Sequence, residues 1–392
     1  MRIAYILHST LKHAGASKSF LTMLKGAMNN GVTPFVVVPD TNGLYHDLYS
    51  MGIEVCVFNY RPAVYPWQRN LSDYLLFLPR LLGRIYLNSR ATHQLIVYLK
   101  GKSIDIIHSN SSVIDIGFRA ARKLSIPHIY HIREYADKDF DMHYYPSKGY
   151  FHQQLNSTNN YTVCITKDIQ RHHQQDTSPR SCVIYNGIAH SKQQKPQHTR
   201  GDYFLFAGRV EKAKGLDFLI ESYIKYVEQT AGDPLPLYIA GEIFNHDLKA
   251  HLDQEIREHG IQDKVKFLGL QSDMESLMAH ARAVIIPSPH EAFGRCMPEA
   301  MLCGCLTIAR NTGGTLEQLE NGMATVGEDI ALRFSTADQL AANLQLATNL
   351  TRENYNHITT KAWRTVTSLY SIESYVEAVL SLYQRITNEH TN

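Results

Sequence analysis

Two glutamates, Glu291 and Glu299, lie eight positions apart in the stretch HEAFGRCMPEAMLCG (290–304), with Gly294 and Arg295 between them. A carboxylate only accepts hydrogen bonds, and it can accept from a pair of neighbouring hydroxyls. Gly294 lets backbone approach a ligand closely, and the free N–H groups at a helix start favour an anion or a hydroxyl oxygen. The stretch predicts a site for a polyhydroxylated ligand. The alternative is a solvated glutamate and a favourable acid in a first helical turn.

A second candidate site precedes it in the chain. The segment FAGRVEKAKGLDFLIES (206–222) predicts a strand, a turn that carries Arg209 and Lys214, and then Gly215 and an amphipathic helix. Two cations at the carboxyl end of a strand, beside a helix start, can bind a diphosphate, although a solvated basic loop is the simpler interpretation. Because both turns are expected at the same sheet edge, the two segments together predict a site for a nucleotide sugar.

The segments that must position these residues alternate between strand and helix signals. Helical segments such as LDFLIESYIKYVEQ separate short apolar runs that predict strands. These runs are RIAYIL, TPFVVVP, EVCVF, IDIIHS, HIYHI, YTVCIT and CVIYNG in the first half, and YFLFAG, LPLYIAG, VKFLG, AVIIPS and LTIA in the second. Buried strands alternating with helices favour right-handed crossovers, so we expect an α/β fold of two doubly wound, parallel-sheet domains.

The polar segment 189–202 lacks apolar periodicity and predicts the linker between these domains. We therefore expect an N-terminal domain over residues 1–190 and a C-terminal domain over residues 200–370. The end of the chain predicts an amphipathic helix over about residues 371–387. Such a helix needs a groove, and we expect it to pack back on the first domain.

Composition narrows the class of protein. Apolar residues make up 44% and charged residues 19% of the 392 residues, as in globular proteins. The six cysteines are scattered, and the N-terminus has no secretory pattern, so we expect a cytoplasmic location. No apolar run reaches the roughly 18 residues of a membrane span. Residues 1–190 carry a net charge of +8 and residues 191–392 one of −6, which makes the first half the better candidate to meet an anionic partner.

Several ordered motifs resemble those of the retaining glycosyltransferases of family 4, which have the GT-B fold. In the second half these are GRVEKAKG, LYIAGE, VKFLG and IIPSPHEAFGRCMPEAMLCGCLTIARNTGGTLEQL. The resemblance is looser in the first half, where HSTLKHAGASKSF, SIPHIYHIRE and VIYNGI correspond. It implies two Rossmann-like domains that face each other across a cleft, the first binding an acceptor and the second a nucleotide-sugar donor.

The resemblance also implies roles for individual residues. It implies that Glu299 holds the ribose hydroxyls of the donor, and that Arg209 and Lys214 bind its diphosphate. Glu291 and the amides around Phe293 and Gly294 are then expected to hold the donor sugar. The expected donor-binding residues are Gly15, Gly208, Arg209, Lys214, Gly241, Glu291, Phe293, Gly294, Arg295 and Glu299. The expected catalytic residues are Glu291, Arg209, Lys214, His131 and Arg133.

The first half departs from the family pattern at two places. The family turn after the first strand usually has two glycines, whereas this chain has Ala14 and Gly15. The histidine that the family places near the reacting carbon is expected just past the HIYHI strand, where this chain has Arg133 or Glu134. His131 lies two positions earlier, and alternation along a strand puts it on the same face as Arg133. Either side chain could then act at the cleft, and a histidine satisfied at a strand end is the alternative.

Metal chemistry is a weaker interpretation. The acidic run DKDFD places Asp137, Asp139 and Asp141 in a loop away from the predicted site, where acids are usually solvated. A departing nucleoside diphosphate builds up negative charge, which fixed cations and amides can stabilise without a metal. We expect no metal and no other cofactor.

Residues 60–100 are the least family-like part of the chain. They place Leu75, Leu78, Leu81, Leu82 and neighbouring apolar residues among Arg69, Arg80, Arg84 and Arg90, with few acids. A basic amphipathic helix of this kind can lie on an anionic membrane surface. The alternative is that the leucines belong to the core and the arginines to a solvated face.

The sequence predicts a glycosyltransferase that moves a sugar from a UDP- or GDP-linked donor to a glycan or lipid-linked acceptor, with retention of configuration. A role in bacterial surface polysaccharide synthesis, peripheral on the inner face of the membrane, fits this prediction, and no nucleic-acid partner is expected. Two alternatives stay open. One is a non-catalytic nucleotide-sugar binding subunit or sensor. The other is a nucleotide-sugar epimerase or a phosphorylase on the same fold, although no segment singles out the lysine that a phosphorylase needs for pyridoxal.

Overall fold

The chain folds into two compact units, as seen in a computed structural model that describes residues 1–12, 14–68, 70–196 and 201–391. Unit 1 comprises residues 1–187 together with the C-terminal helix from Ile372, and unit 2 comprises Ile188–Ser371. Each unit has its own parallel sheet and its own core. The predicted class, two doubly wound α/β domains, is confirmed.

Unit 1 is built on a sheet of seven parallel strands in the order β3-β2-β1-β4-β5-β6-β7. All seven predicted runs form strands. They are β1 (Arg2–Ile6), β2 (Thr33–Val38), β3 (Glu54–Val57), β4 (Ile106–Ser109), β5 (His128–Ile132), β6 (Asn160–Cys164) and β7 (Ser181–Val183). The strands β4, β5 and β6 are buried along their whole length, as expected for a sheet covered on both faces.

Helices cover both faces of this sheet. They are α1 (Gly15–Asn29), α2 (Leu44–Ser50), α3 (Leu71–Leu75), α4 (Phe77–Leu99), α5 (Ile116–Leu124), α6 (Asp137–Phe140), α7 (Lys148–Leu155) and α8 (Lys167–His172). The final helix of the chain also belongs to this unit.

Unit 2 is built on six parallel strands in the order β10-β9-β8-β11-β12-β13. They are β8 (Phe204–Ala207), β9 (Leu237–Ala240), β10 (Val265–Gly269), β11 (Ala283–Ile286), β12 (Leu306–Arg310) and β13 (Leu332–Phe334). Five of them match the predicted runs. Strand β13 was not predicted, because three residues of mixed polarity at a sheet edge do not form an apolar run.

The helices of unit 2 include the predicted LDFLIESYIKYVEQ segment, which forms α9 (Leu216–Gln229) after a single 3₁₀ turn (Lys212–Lys214). The others are α10 (His246–Glu258), α11 (Met274–Ala279), α12 (Cys296–Leu302), α13 (Gly313–Val326), α14 (Ala337–Asn349) and α15 (Arg352–Leu369). The last helix of the chain is α16 (Ile372–Thr391). Gly304 follows α12 with a φ of +74°, the left-handed conformation in which glycine commonly ends a helix.

The boundary between the units lies between Gly187 and Ile188, ahead of most of the predicted polar linker. The amide of Ile188 donates to the carbonyl of Tyr370 over 2.8 Å, and Ala189 forms a parallel bridge with Ser371. These backbone bonds tie residues 188 and 189 to unit 2. Of the predicted linker, residues 197–200 lie outside the described residues.

Helix α16 packs against α1 within unit 1. Tyr375, Val379 and Tyr383 are buried in the core, together with residues of β1 and α1. Gly26 of α1 faces Val376, and a Cβ built on this glycine would lie only 2.2 Å from a methyl carbon of the valine. The chain therefore closes its first unit with its last helix, and the glycine allows the two helices to approach.

Helix α4 buries only its second half, through Asn88, Ala91, Thr92, Leu95 and Leu99. Helix α3 and the first half of α4 leave large apolar side chains in solvent. These side chains, called here the exposed leucine segment, are Leu71, Tyr74, Leu75, Leu76, Leu78, Leu82 and Tyr86. The interpretation of these leucines as core is therefore wrong, although Leu81 and Ile85 are half-buried. No helix in the described ranges is both long and apolar enough to cross a bilayer.

We expect Gly26→Ala to destabilise the protein by roughly 1–3 kcal/mol, because the added methyl group overpacks the contact between α1 and α16. Gly83→Ala is the matched control. Gly83 also lies within a helix, but a methyl group added there would meet nothing within 4 Å. This control should stabilise the protein by about 0.5–1 kcal/mol through helix propensity. Urea denaturation measures both, and equal effects would contradict the proposed packing.

Candidate functional site

The centre of the unit 2 sheet is a topological switch point. Strands β8 and β11 are neighbours and pair in parallel, Phe204 opposite Ala283. The chain continues from β8 toward β9 on one side and from β11 toward β12 on the other. The turns that follow β8 and β11 therefore diverge, and open α/β sheets bind ligands in the crevice that such turns leave. Arg209 and Lys214 follow β8, and Glu291 follows β11.

An ion pair joins the two predicted segments at this point. The Lys214 ammonium lies 2.7 Å from Oε1 of Glu291, and both side chains are largely buried. Burial lowers the pKa of Lys214, but the charge and hydrogen bond of Glu291 outweigh it, so the pKa is raised overall. Lys214 therefore stays a cation. The sequence predicted both residues for one site, and the structure brings them into contact.

Arg209 is held on two sides. Its guanidinium forms an ion pair of 2.8 Å with Glu211 and lies 5.2 Å from the centre of the Phe244 ring. Phe244 follows β9 and is itself largely exposed. A cation stacked on an aromatic ring and paired with a carboxylate loses less freedom on binding an anion than a mobile arginine does.

Glycines allow the turns at this edge of the unit 2 sheet to approach one another closely. A Cβ on Gly241 would lie 1.8 Å from the carbonyl oxygen of Gly208, so this position accepts no side chain without backbone movement. Gly215 has a φ of +71°, and a Cβ there would lie 2.5 Å from the carbonyl oxygen of Pro287. The predicted glycines thus bring the turns after β8, β9 and β11 close together.

The turn between β11 and α12 has a left-handed glycine at its centre. Gly294 has a φ of +76°, which favours glycine over other residues. Phe293 is buried against Tyr370, with ring centres 5.4 Å apart and nearly perpendicular. The side chain of Gln318 donates to the carbonyl of Phe293. The turn is therefore anchored from both sides, and its conformation does not depend on Glu291 alone.

Glu299 lies in the first turn of α12 and pairs with Arg295, one helical turn earlier. Both Nε and an Nη of Arg295 lie 3.1 Å from Oε1 of Glu299. The arginine therefore orients the carboxylate, and hydroxyl groups of a ligand would compete with it or add to it.

The start of α13 supports the same turn. This contribution of α13 was not predicted from the sequence. The amide of Gly314 donates to the carbonyl of Glu291 over 2.7 Å, and the Thr312 hydroxyl donates to the carbonyl of Pro289. A Cβ on Gly314 would lie 2.5 Å from the carbonyl oxygen of Ala292. The NTGG run was a usable signal, because two glycines after a predicted strand often mark a close backbone approach.

In unit 1, Gly15 begins α1 after the turn that follows β1. Ala14 occupies the N-cap position in an extended conformation, with no side-chain cap. The backbone angles of Ala14 suit any residue, so alanine in place of the family's glycine causes no strain here.

His131 is fully buried within β5 and lies in a network with His108 and Tyr383. Arg133 donates to Nδ1 of His131 over 3.3 Å, so this nitrogen carries no proton. Nε2 of His108 lies 3.1 Å from the same nitrogen, and Nδ1 of His108 lies 2.6 Å from the Tyr383 hydroxyl. Burial and then the charge of Arg133 hold the pKa of both histidines well below the usual range. Both histidines are neutral, and His131 lies beneath the sheet edge.

Arg133 lies at the carboxyl end of β5 and is 7% exposed. It donates to the Asn110 side chain over 2.9 Å, to Asn186 over 2.8 Å and to the Tyr375 hydroxyl over 3.0 Å, besides His131. The predicted pair His131 and Arg133 is thus in contact, as strand alternation indicated. The partners Asn110, Asn186 and Tyr375 were not predicted.

Glu134 and His8 complete this edge of the unit 1 sheet. Glu134 accepts hydrogen bonds from the hydroxyl of Ser111 over 2.7 Å and from the amide and hydroxyl of Ser112, both over 2.6 Å. His8 directly follows the β1 region. Burial lowers the pKa of His8, while the charge of Glu134 raises it and that of Arg133 lowers it. His8 was not predicted as a site residue, although a histidine just after the first strand is a signal that the sequence contains.

The acidic run begins three residues after Glu134 and has partners of its own. Asp137 pairs with Lys148 over 3.0 Å and with His172 over 2.8 Å. Asp139 accepts from the amide of Tyr135, and burial raises its pKa to about 7. Within the described residues, no three His, Cys, Asp or Glu side chains are arranged to hold a metal ion.

Two protein families match the chain. The family of group 1 glycosyl transferases matches residues 188–363, and glycosyltransferase family 4 matches residues 13–192. Together the two matches extend over most of both units. The boundary between them falls close to the boundary between the units.

The chain is also similar in sequence to known glycosyltransferases. The chain is 28% identical to an uncharacterized glycosyltransferase of Methanocaldococcus jannaschii over 233 residues, which cover 57% of this chain and 61% of that protein. It is 28% identical to an uncharacterized glycosyltransferase of Bacillus subtilis over 188 residues, which cover 47% and 50%. The chain thus spans only half to three fifths of these curated relatives.

A solved structure with the same fold is that of HepE from Anabaena in complex with UDP and glucose. It has a TM-score of 0.76 and 19% identity, with 98% of this chain and 99% of that chain covered. This likeness supports the GT-B fold.

We expect the free energy of unfolding to fall as pH drops from 6.5 toward 5. His108 and His131 titrate well below the ordinary value of 6.5 in the folded chain, and burial lowers the pKa of His128 to about 4. Below pH 6.5 the unfolded chain therefore binds more protons than the folded one. The free energy of unfolding consequently decreases as the pH decreases. Each such histidine contributes a slope of about 1.36 kcal/mol per pH unit.

The measurement is urea denaturation between pH 7 and 5 at constant ionic strength. His131→Asn removes one titrating group, so its stability should depend on pH less steeply by about one proton, whatever its absolute stability. If the free energy of unfolding depended equally on pH in the variant and in the unmodified chain, His131 would have the same pKa in the folded and unfolded states, and the prediction would be wrong.

Proposed function

We propose that this chain, which belongs to the glycosyltransferases of group 1 and family 4 with the GT-B fold, transfers a sugar from a nucleotide-linked donor to an acceptor. The observation that carries this proposal is the contact between Lys214 and Glu291 across the switch point of unit 2. This contact joins an ammonium group, which suits phosphate, to a carboxylate, which accepts from sugar hydroxyls, and it supports the proposal for that reason. A nucleotide sugar has both chemistries on adjacent groups.

The cations act on the leaving group in this proposal. When the bond between the sugar and the diphosphate breaks, negative charge grows on the β-phosphate oxygen. Arg209 and Lys214 are held in place by Glu211, Phe244 and Glu291, so they can stabilise this charge without reorganising. The departing diphosphate takes up the proton of the acceptor hydroxyl, and no metal ion is required.

The carboxylates select the donor. Glu291 accepts from hydroxyls of the donor sugar together with the amides around Phe293 and Gly294, and Glu299 accepts from the two ribose hydroxyls. Arg295 orients Glu299 before the donor binds. We propose a UDP-linked or GDP-linked donor, and the complex of HepE with UDP and glucose supports the UDP alternative.

The acceptor belongs to unit 1 in this proposal and is a glycan or a lipid-linked intermediate of bacterial surface polysaccharide. Transfer occurs with retention of configuration, and the protein works in the cytoplasm at the inner face of the membrane. The exposed leucine segment supports the membrane contact, because Leu71 and Leu75 are 77% and 74% exposed. Exposed leucines beside arginines favour an anionic lipid surface.

Glu299→Gln should weaken the binding of UDP. An amide oxygen accepts less strongly than a carboxylate, and hydrogen bonds to charged groups contribute about 1.5–3 kcal/mol, which corresponds to roughly ten-fold to a hundred-fold in Kd. Isothermal titration calorimetry with UDP measures the change. Glu353→Gln, an exposed acid at the start of α15, is the matched control and should bind as the unmodified chain does.

Unchanged UDP affinity in Glu299→Gln would remove Glu299 from the donor site. The transfer reaction is tested separately, by release of UDP or GDP from nucleotide sugars in the presence of a lipid-linked acceptor. Tight nucleotide binding without any release would instead indicate a non-catalytic binding subunit.

Leu75→Glu with Leu78→Glu should abolish binding to anionic liposomes. The unmodified chain should bind them less as salt rises, because surface attraction is screened beyond a Debye length of about 8 Å at physiological ionic strength. Liposome sedimentation measures the binding. Arg84 is unsuitable for this test, because its guanidinium donates to the carbonyl of Val64 over 2.8 Å and so supports the fold. Arg69, in the predicted basic set, lies outside the described residues.

Leu346→Glu is the matched control, since Leu346 is a leucine of unit 2 that is 46% exposed. This variant should sediment with anionic liposomes as the unmodified chain does. Equal sedimentation with neutral and anionic liposomes at low salt would contradict the membrane proposal, and so would full binding by the double glutamate variant.

A further inference from the structure

The Arg133 guanidinium of unit 1 is a buried cation surrounded by uncharged partners. Its four hydrogen bonds go to the side chains of Asn110, Asn186, His131 and Tyr375. His131 is neutral because its Nδ1 accepts from the arginine. None of the four partners contributes a negative charge.

No ion pair to Arg133 occurs within the described residues. The nearest acid along the chain, Glu134, accepts from Ser111 and Ser112 through Oε1 and forms no ion pair with Arg133. A buried charge is costly unless an opposite charge lies next to it, so charged side chains in protein interiors are nearly always paired. A buried cation that is fixed by neutral groups and forms no ion pair needs an explanation, and an anion that a ligand supplies is one.

The position of Arg133 fits this role. It follows β5 at the carboxyl edge of the sheet, where open α/β sheets bind ligands, and 7% of it reaches the surface. A guanidinium has five N–H groups, and the four hydrogen bonds leave one N–H on Nη1. His8 lies two residues after β1, where the charges of both Arg133 and Glu134 act on it. Its Nδ1 is a buried atom without a hydrogen-bond partner among the described residues.

We propose that Arg133 is a phosphate-binding residue of unit 1, preset by Asn110, Asn186 and Tyr375, and that His8 borders the same site. This proposal rests on the proposed function, in which both the nucleotide-sugar donor and a lipid-linked acceptor carry phosphate. A guanidinium suits phosphate because its planar N–H groups match the phosphate oxygens. Tyr375 belongs to α16, so the last helix of the chain positions this arginine.

The first experiment uses inorganic phosphate as the probe and the full chain as the protein. Arg209→Ala with Lys214→Ala removes the predicted phosphate-binding cations of unit 2. In this double variant, phosphate should still raise the thermal unfolding midpoint relative to chloride at equal ionic strength. Adding Arg133→Gln should remove the saturable part of the rise and leave only the general stabilisation that phosphate gives a folded protein. An equal rise in the triple variant would overturn the proposal, and so would the absence of any rise in the double variant.

Arg133→Lys gives a second test in case glutamine at this position prevents folding. Lysine keeps the charge but lacks the fork of N–H groups, so phosphate should bind the Arg133→Lys form of the double variant about tenfold more weakly than the double variant itself. Phosphate affinity equal to that of the double variant would show that the guanidinium takes no part.

Titration with UDP identifies the source of the phosphate. In Arg133→Gln with Arg209 and Lys214 intact, a weaker UDP affinity assigns the site to the diphosphate of the donor. An unchanged UDP affinity, together with loss of the phosphate effect described above, assigns it to a phosphate of the acceptor. Neither outcome depends on detecting sugar transfer, so failure of the proposed activity and failure of this proposal remain distinguishable.

Discussion

The parallel pairing of β8 with β11 is the constraint on which the candidate site depends. These strands are far apart in the chain, and two further strands, β9 and β10, lie between them in sequence. Their pairing makes the sheet change direction at its centre, so the turns after β8 and β11 diverge. Lys214 and Glu291 come from these two turns, and they can form an ion pair only because the strands are neighbours.

The charged groups of unit 2 are paired with one another before any ligand binds. Lys214 is paired with Glu291, Arg209 with Glu211 and Arg295 with Glu299. A ligand with phosphates and hydroxyls can therefore exchange or share existing partners, and no isolated charge has to be stripped of water. This arrangement lowers the cost of organising the site, since side chains already held by neighbours lose less freedom on binding.

Unit 1 differs from unit 2 because several of its polar side chains are buried and hydrogen-bonded to one another. A chain of hydrogen bonds runs from Tyr383 through His108 to His131 and Arg133. Helix α16 supplies Tyr375 and Tyr383 to this network, so the last residues of the chain support the carboxyl edge of the first sheet. Burying a polar group costs free energy unless it is hydrogen-bonded, and α16 supplies a partner to both His108 and Arg133.

Much of the fold followed from the sequence by itself. Apolar runs of four to seven residues marked all seven strands of unit 1 and five of the six strands of unit 2, because a strand buried on both faces requires a local apolar run. The turn residues were equally visible. Gly294 and Gly215 adopt the left-handed backbone that glycine favours, and the charged residues beside them could be recognised by type and order.

The partners of each charge were decided only by the tertiary structure. Arg133 is bound by Tyr375, 242 positions later, and nothing near Arg133 in the sequence indicates this contact. The same holds for the exposed leucine segment, whose apolar pattern fits a core helix equally well. Periodicity shows that a helix has an apolar face, but only the packing of the other elements decides whether that face is covered. A local pattern therefore predicts elements and residue types, while burial, protonation and pairing depend on groups that the fold brings together from distant parts of the chain.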